Sequence, residues 1–163
     1  MTLEVEYVYD VSIDKLYKLL TDEGFLRRKY EAVGSRRIVI TECGQDEDVF
    51  RIEWTREVPS NPPSFAKKVL SEWNKLAEMM EWSLAEDGSA HADYLCKVDG
   101  VPGSLAGEFD LRSQGKGCVE EIIMEASIPI PLLGKKIAEF AEEDAKRNLD
   151  AEYTFTREFL KQC

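Results

Sequence analysis

The chain has 163 residues, with 32 Asp and Glu against 21 Lys and Arg, so its formal charge is −11. That balance lacks the clustered cations that grip phosphate backbones, and it disfavours anionic membrane surfaces, so no nucleic-acid partner is expected. With 44% hydrophobic and 33% charged residues, the composition is globular, and the length fits one domain over residues 1–163 that needs no metal or disulfide staple.

The first residues alternate. Leu3, Val5, Tyr7 and Tyr9 share one face, with Glu4 and Glu6 on the other, the pattern of a half-buried strand. The same stretch has neither the basic start nor the apolar run of a signal peptide. No later window reaches the ~18 apolar residues that span a bilayer, so a cytoplasmic protein without membrane insertion is expected. Ser12 then caps a short amphipathic helix through Ile13, Leu16, Tyr17, Leu19 and Leu20. Phe25, Leu26 and Tyr30 predict a second short helix, closed by Gly34.

Strand patterns follow. Ile38, Ile40 and Glu42 alternate with Arg37, Val39 and Thr41, and the polar stretch from Gly44 to Asp48 makes a turn. Phe50, Ile52, Trp54, Arg56 and Val58 form the clearest period-two run, so the two segments read as a hairpin. Prolines 59, 62 and 63 stop it, and residues 64–71 suggest another short helix. Residues 73–85 are ambiguous: Leu76, Met79, Met80 and Leu84 suit a helix, whereas Leu76, Met80, Trp82 and Leu84 suit one face of a strand, with Glu78 the misfit. Local propensity favours the helix.

Three more strands complete the series. Ala92, Tyr94, Cys96 and Val98 share a face, as do Leu105, Phe109 and Leu111, with Gly107 free to let the backbone bend. Cys118, Ile122, Met124, Ala126, Ile128 and Ile130 line the last strand, and Glu120 falls among them. Pro131 suits the first turn of a closing helix. There Leu133, Ile137, Ala141, Ala145, Leu149, Tyr153, Thr156 and Leu160 recur at helical spacing, opposite a face that includes Glu142, Glu143, Lys146 and Arg147. Neither Gly nor Pro interrupts residues 135–161, a rod of about 40 Å.

This order predicts an α+β fold. A curved antiparallel sheet of six to seven strands grips one long C-terminal helix, with two short helices after the first strand. A single helix cannot fill the concave side of such a sheet, so an apolar cavity with a few polar groups is expected between them.

The residues also carry a resemblance. The stretches at 6–26 (EYVYDVSIDKLYKLLTDEGFL), 50–59 (FRIEWTREVP), 80–84 (MEWSL), 98–109 (VDGVPGSLAGEF), 128–140 (IPIPLLGKKIAEF) and 148–160 (NLDAEYTFTREFL) resemble the START-like superfamily, also called SRPBCC, the helix-grip or birch-pollen-allergen-like fold. More narrowly they resemble a bacterial family within it known only as a domain of unknown function. The resemblance implies that the stretch around Trp82 is a strand, which decides the ambiguity above. It also implies a cavity for lipids, polyketides or other apolar molecules. Some members of the superfamily are cyclases, aromatases or hydrolases, and others bind protein partners.

The expected ligand site is the cavity lining: Trp54, Arg56, Trp82, Tyr94, Phe109, Met124, Ile137, Ala141, Leu149 and Tyr153. An inward Arg56 would offer a guanidinium to a carboxylate or phosphate head group. At the strand end it would instead reach solvent, the commoner fate of such an arginine. Tyr94 would donate to a ligand oxygen or simply pack as core. Glu78 and Glu120 would be buried acids if the strand phase holds, but a one-residue slip or bulge puts either in water, and that reading is preferred.

Other chemistry lacks a pattern. His91 stands in an outward phase, so there is no histidine-based triad, and Cys43, Cys96, Cys118 and Cys163 lack metal-ligand spacing and read as reduced thiols. No catalytic residue, metal or cofactor is implied, and no oligomeric state. The expected function is binding of a small hydrophobic or lipid-like ligand. The alternatives are a partner-binding or structural module with a filled interior, or a cyclase-like enzyme on an apolar substrate.

Overall fold

The computed structural model describes residues 2–162, so Cys163 lies outside the described residues. The elements are β1 (Leu3–Tyr9), α1 (Ile13–Leu20), α2 (Glu23–Ala32), β2 (Arg36–Asp46), β3 (Val49–Pro59), β4 (Trp73–Leu84), β5 (Ala90–Val98), β6 (Ser104–Gln114), β7 (Gly117–Ser127) and α3 (Gly134–Lys161). The seven strands form one curved antiparallel sheet in the order β1-β7-β6-β5-β4-β3-β2. β2 to β7 follow one another across the sheet. β1 sits at the far edge, beside β7, so α1 and α2 carry the chain from one edge to the other. The expected α+β helix-grip architecture is what forms.

Local chemistry sets the boundaries. Ser12 accepts the Lys15 amide at 3.2 Å to start α1, and Asp22 accepts the Phe25 amide at 2.8 Å to start α2. Gly34, at φ +94°, closes α2 in the left-handed region that glycine adopts without strain. The ambiguous stretch is β4, paired on both sides, from Phe50↔Trp82 to Pro59↔Trp73 and from Leu76↔Val98 to Leu84↔Ala90. Pairing with two neighbours outweighs its helical propensity. Gly107 is required: a Cβ there would lie 2.3 Å from the Ile123 carbonyl oxygen. Residues 64–71 hold only a short 3-10 turn, Ser64–Ala66, where a helix was expected.

α3 has 28 residues, about 42 Å. It begins at Gly134, later than the Pro131 start expected from sequence. Leu132 adopts φ +70°, which no helix accommodates, and a Cβ on Gly134 would come 2.1 Å from the Ile128 carbonyl oxygen. A second correction concerns Glu142, expected on the charged outer face but only 2% exposed. Glu142 turns inward to accept the amide of Ala126 in β7 at 2.8 Å.

α3 lies against β7, β1 and α2 and contributes to both sets of buried apolar residues. The larger set holds Trp54, Trp82, Phe25, Ile122 and Leu149, and the smaller one Ala66, Leu70 and Ile137. Among the described residues no helix is long and apolar enough to cross a membrane.

Candidate functional site

Between the concave face and the helices lies a chamber of about 60 Å³. Its floor is Trp54 and Arg56 of β3, Glu78 and Trp82 of β4, Tyr94 of β5, Phe109 of β6, and Glu120 and Met124 of β7. Its roof is Lys29 and Tyr30 of α2 with Leu149 and Glu152 of α3. An adjoining recess of about 30 Å³ shares Lys29, Glu120, Leu149 and Glu152 and extends to Tyr7, Tyr9 and Tyr153. A third, more apolar space of about 100 Å³ lies towards the start of α3, among Val58, Leu70, Cys96, Val98, Phe140 and Ala141.

A buried ion pair stands between the first and third spaces. Trp54 pairs with Glu78 and Arg56 with Leu76 across β3 and β4, so Arg56 and Glu78 are diagonal neighbours on one face. Arg56 Nε donates to Glu78 Oε2 at 2.7 Å and its Nη2 to Oε1 at 3.0 Å, while Nη1 donates to Ser35 Oγ at 3.0 Å. Tyr94 adds a bond to Glu78 Oε1 at 2.6 Å. The Tyr30 ring lies 4.0 Å from the guanidinium carbon and stacks on Trp54. Burial works against the arginine's charge, but the facing carboxylate holds its pKa well above the ordinary value. Burial also raises the Tyr30 and Tyr94 hydroxyls.

The expectation that Arg56 reaches solvent is therefore overturned. So is the preferred placing of Glu78 and Glu120 in water: they are 4% and 6% exposed. Strand phase held, because an opposite charge on the neighbouring strand makes an inward Glu78 tolerable.

Glu120 has a different environment. It faces Lys29 and Glu152, whose own contact is 3.5 Å (Nζ to Oε1), and among the described residues no hydrogen bond reaches its carboxyl. Burial pushes that carboxyl up to about 7; Lys29 pulls it down and Glu152 adds to the rise. Lys29 also lies 4.9 Å from the Tyr30 ring centre. The indole nitrogens of Trp54 and Trp82 are buried without a hydrogen-bond partner among the described residues.

The structure brings seven of the ten sequence-predicted residues to one chamber: Trp54, Arg56, Trp82, Tyr94, Phe109, Met124 and Leu149. Tyr153 lines the recess, stacks on Tyr7 at 4.5 Å and donates to the Val8 carbonyl at 2.7 Å, tying α3 to β1. Ala141 lines the third space. Ile137 lines none of the three; it packs against Ala66 and Leu70 because α3 meets the loop after β3 there. Trp73, the remaining tryptophan, is at the surface under Arg36, 3.7 Å from its ring centre.

Sequence reasoning missed Lys29, Tyr30 and Glu152 as wall residues. Glu152 stands three residues after Leu149, on the inward stripe, and that spacing was the available signal. On the outer face, His91 bonds Asp110 at 2.7 Å through Nδ1 and faces Asp93 at 3.2 Å through Nε2. One ligand atom each from His91, Asp93 and Glu108 lie within 4.8 Å of one another, a set of donors of the kind that holds a metal.

No curated protein matches the chain. Among solved structures it is similar to TTHA0849 from Thermus thermophilus (11% identity, 97% of this chain and 95% of that one, TM-score 0.64). It is also similar to a STAR-related lipid transfer protein fragment from Xanthomonas axonopodis (16%, 94% and 84%, 0.61). A third likeness is to a START superfamily protein from Mycobacterium smegmatis (9%, 97% and 98%, 0.59). At these identities the likeness is one of fold, and the fold is START-like. A family described as "Protein of unknown function (DUF2505)" matches residues 4–160. The chain thus belongs to the DUF2505 family and has the START-like helix-grip fold.

Proposed function

We propose that the protein binds a small molecule with a largely apolar body in the chamber between the sheet and helices α2 and α3. One observation carries this reading: a walled chamber faced by Glu120, a deeply buried carboxyl with no protein hydrogen bond among the described residues. A buried acid is costly unless something meets it, and groups left open in a cavity are where ligands are oriented. Affinity would come from apolar contact with Trp54, Trp82, Phe109, Met124 and Leu149, at about 25 cal/mol per Å² before binding costs. The name of the Xanthomonas neighbour, a STAR-related lipid transfer protein, supports ligand carriage as the general kind. The volume of about 60 Å³ suits a small molecule and not a whole lipid.

That same volume favours a second reading. Pockets for drug-sized ligands run to ~300 Å³ or more, so the interior would be closed by its own side chains and the protein would act through its surface. Mass spectrometry of extracts from purified protein, with calorimetric titration of small probes of the chamber's size, separates the two. A copurifying small molecule or saturable probe binding is expected. If nothing copurifies and no probe binds, the second reading replaces the first.

A further inference from the structure

Resting on the chamber as a binding site, we infer that its ligand is a small organic cation, a short alkyl amine whose ammonium group pairs with Glu120. The charges buried around the chamber do not balance. Arg56, Lys29, Glu78, Glu120 and Glu152 all line the chamber. Arg56 is closed by Glu78, which takes both arms of its fork, and Lys29 lies against Glu152. Glu120 is the carboxylate left over.

Among the described residues an anionic ligand meets no cation without a carboxylate partner, and it enlarges the excess. A neutral one leaves Glu120 to take up a proton instead, in line with the elevated affinity for a proton that burial gives it. A cation supplies the missing charge, and the rings of Tyr30, Trp54, Trp82 and Phe109 are the kind of wall a cation tolerates. Glu120 lines both chamber and recess, so an ammonium at their junction leaves the chamber for the alkyl chain. About 60 Å³ holds roughly five water-sized groups, the size of butylamine.

The test uses three probes of one size, butylamine, 1-butanol and butyrate, titrated into the intact protein by calorimetry at about pH 8. Butylamine is expected to bind roughly tenfold or more tightly than butanol, and butyrate not to bind, since an ionic hydrogen bond exceeds a neutral one by about that factor. Glu120→Gln should erase the preference of the amine over butanol. A readout in the unaltered protein stands beside the variant: carbon NMR of the Glu120 carboxyl, which titrates among Lys29, Glu152, Tyr7, Tyr9 and Tyr153 with Arg56 and Glu78 across the chamber. Saturating butylamine should lower its midpoint.

If butanol or butyrate binds as well as the amine, or if the Glu120 midpoint stays put under saturating amine, the cation is wrong while the chamber stands. If none of the three probes binds, both fall together.

Discussion

Two charge clusters share the interior and are built in opposite ways. Arg56 and Glu78 meet in a fork at 2.7 and 3.0 Å, with Ser35 and Tyr94 taking further sites. Lys29, Glu120 and Glu152 meet at 3.5 Å or beyond, with no hydrogen bond on the middle carboxyl among the described residues. Both clusters are buried, so burial alone does not separate structural from functional charge. Saturation does: the first cluster has answered its own desolvation, and the second has left a demand that a proton or a ligand must meet.

The largest expected effect comes from breaking the saturated pair. Glu78→Gln keeps the shape but leaves Arg56 charged and unpaired in a dry site. It should cost about 3–5 kcal/mol, a fall in Tm on the order of 10 °C. The double replacement Arg56→Met with Glu78→Leu removes both charges and should recover most of that loss. Urea unfolding of the three proteins measures this. A cost below about 1 kcal/mol for Glu78→Gln would mean that the pair behaves like a solvated surface ion pair.

The second cluster should respond with the opposite sign. Glu120 titrates near 4.5 in an unfolded chain and at about 7 in the folded one. Between these values the folded chain keeps a proton that the unfolded chain has lost. Stability therefore falls as pH rises from about 4.5 to about 7 and stays lower above, by an amount on the order of 3 kcal/mol. Glu120→Gln removes that fall. The variant should match the parent near pH 4 and exceed it near pH 8 in thermal melts. Parallel curves for the two proteins would show that Glu120 is already satisfied.

These clusters also mark where sequence reading stops. The alternation of β3 and the stripe of α3 are local, and they gave the inward phase of Trp54, Arg56 and Leu149 from the residues alone. β4 was not local: its residues favour a helix, and only the family resemblance made it a strand. Glu78 and Glu120 were on inward faces by count, yet a one-residue slip or bulge that puts them in water was the preferred reading. What made them tolerable came from elsewhere in the chain, Arg56 one strand away and Lys29 on α2. Such partners depend on strand register and helix placement, which no single window contains. Glu142 went wrong for the same reason, since its partner is the Ala126 amide of β7.

A subtler change sharpens the contrast within the first cluster. Tyr94→Phe deletes the bond to Glu78 Oε1 at 2.6 Å and keeps the ring. A buried bond to a charged group contributes about 1.5–3 kcal/mol, so a loss of about 2 kcal/mol is expected. Tyr153→Phe deletes a bond to the Val8 carbonyl that is neutral and exposed, and should cost about half as much or less. Equal losses in chemical denaturation would undo the claim that Glu78 depends on being saturated.

The smallest effect is expected on the outer face, where the same residue types meet in water. His91 takes a 2.7 Å bond from its Nδ1 to Asp110, and that bond first, with Asp93 adding and partial burial opposing, raises its pKa above 6.5. A raised histidine contributes stability below its unfolded value and loses it as pH climbs through the folded one. Both side chains are largely solvated, 39% and 53% exposed, so screening leaves less than about 1 kcal/mol. Asp110→Asn should move the His91 midpoint down in proton NMR. Its stability cost should be visible near pH 5 and gone near pH 8. A cost above about 2 kcal/mol would mean that exposure is not what separates this pair from Arg56 and Glu78. The inner pair would then owe its strength to geometry alone, since the distances are the same.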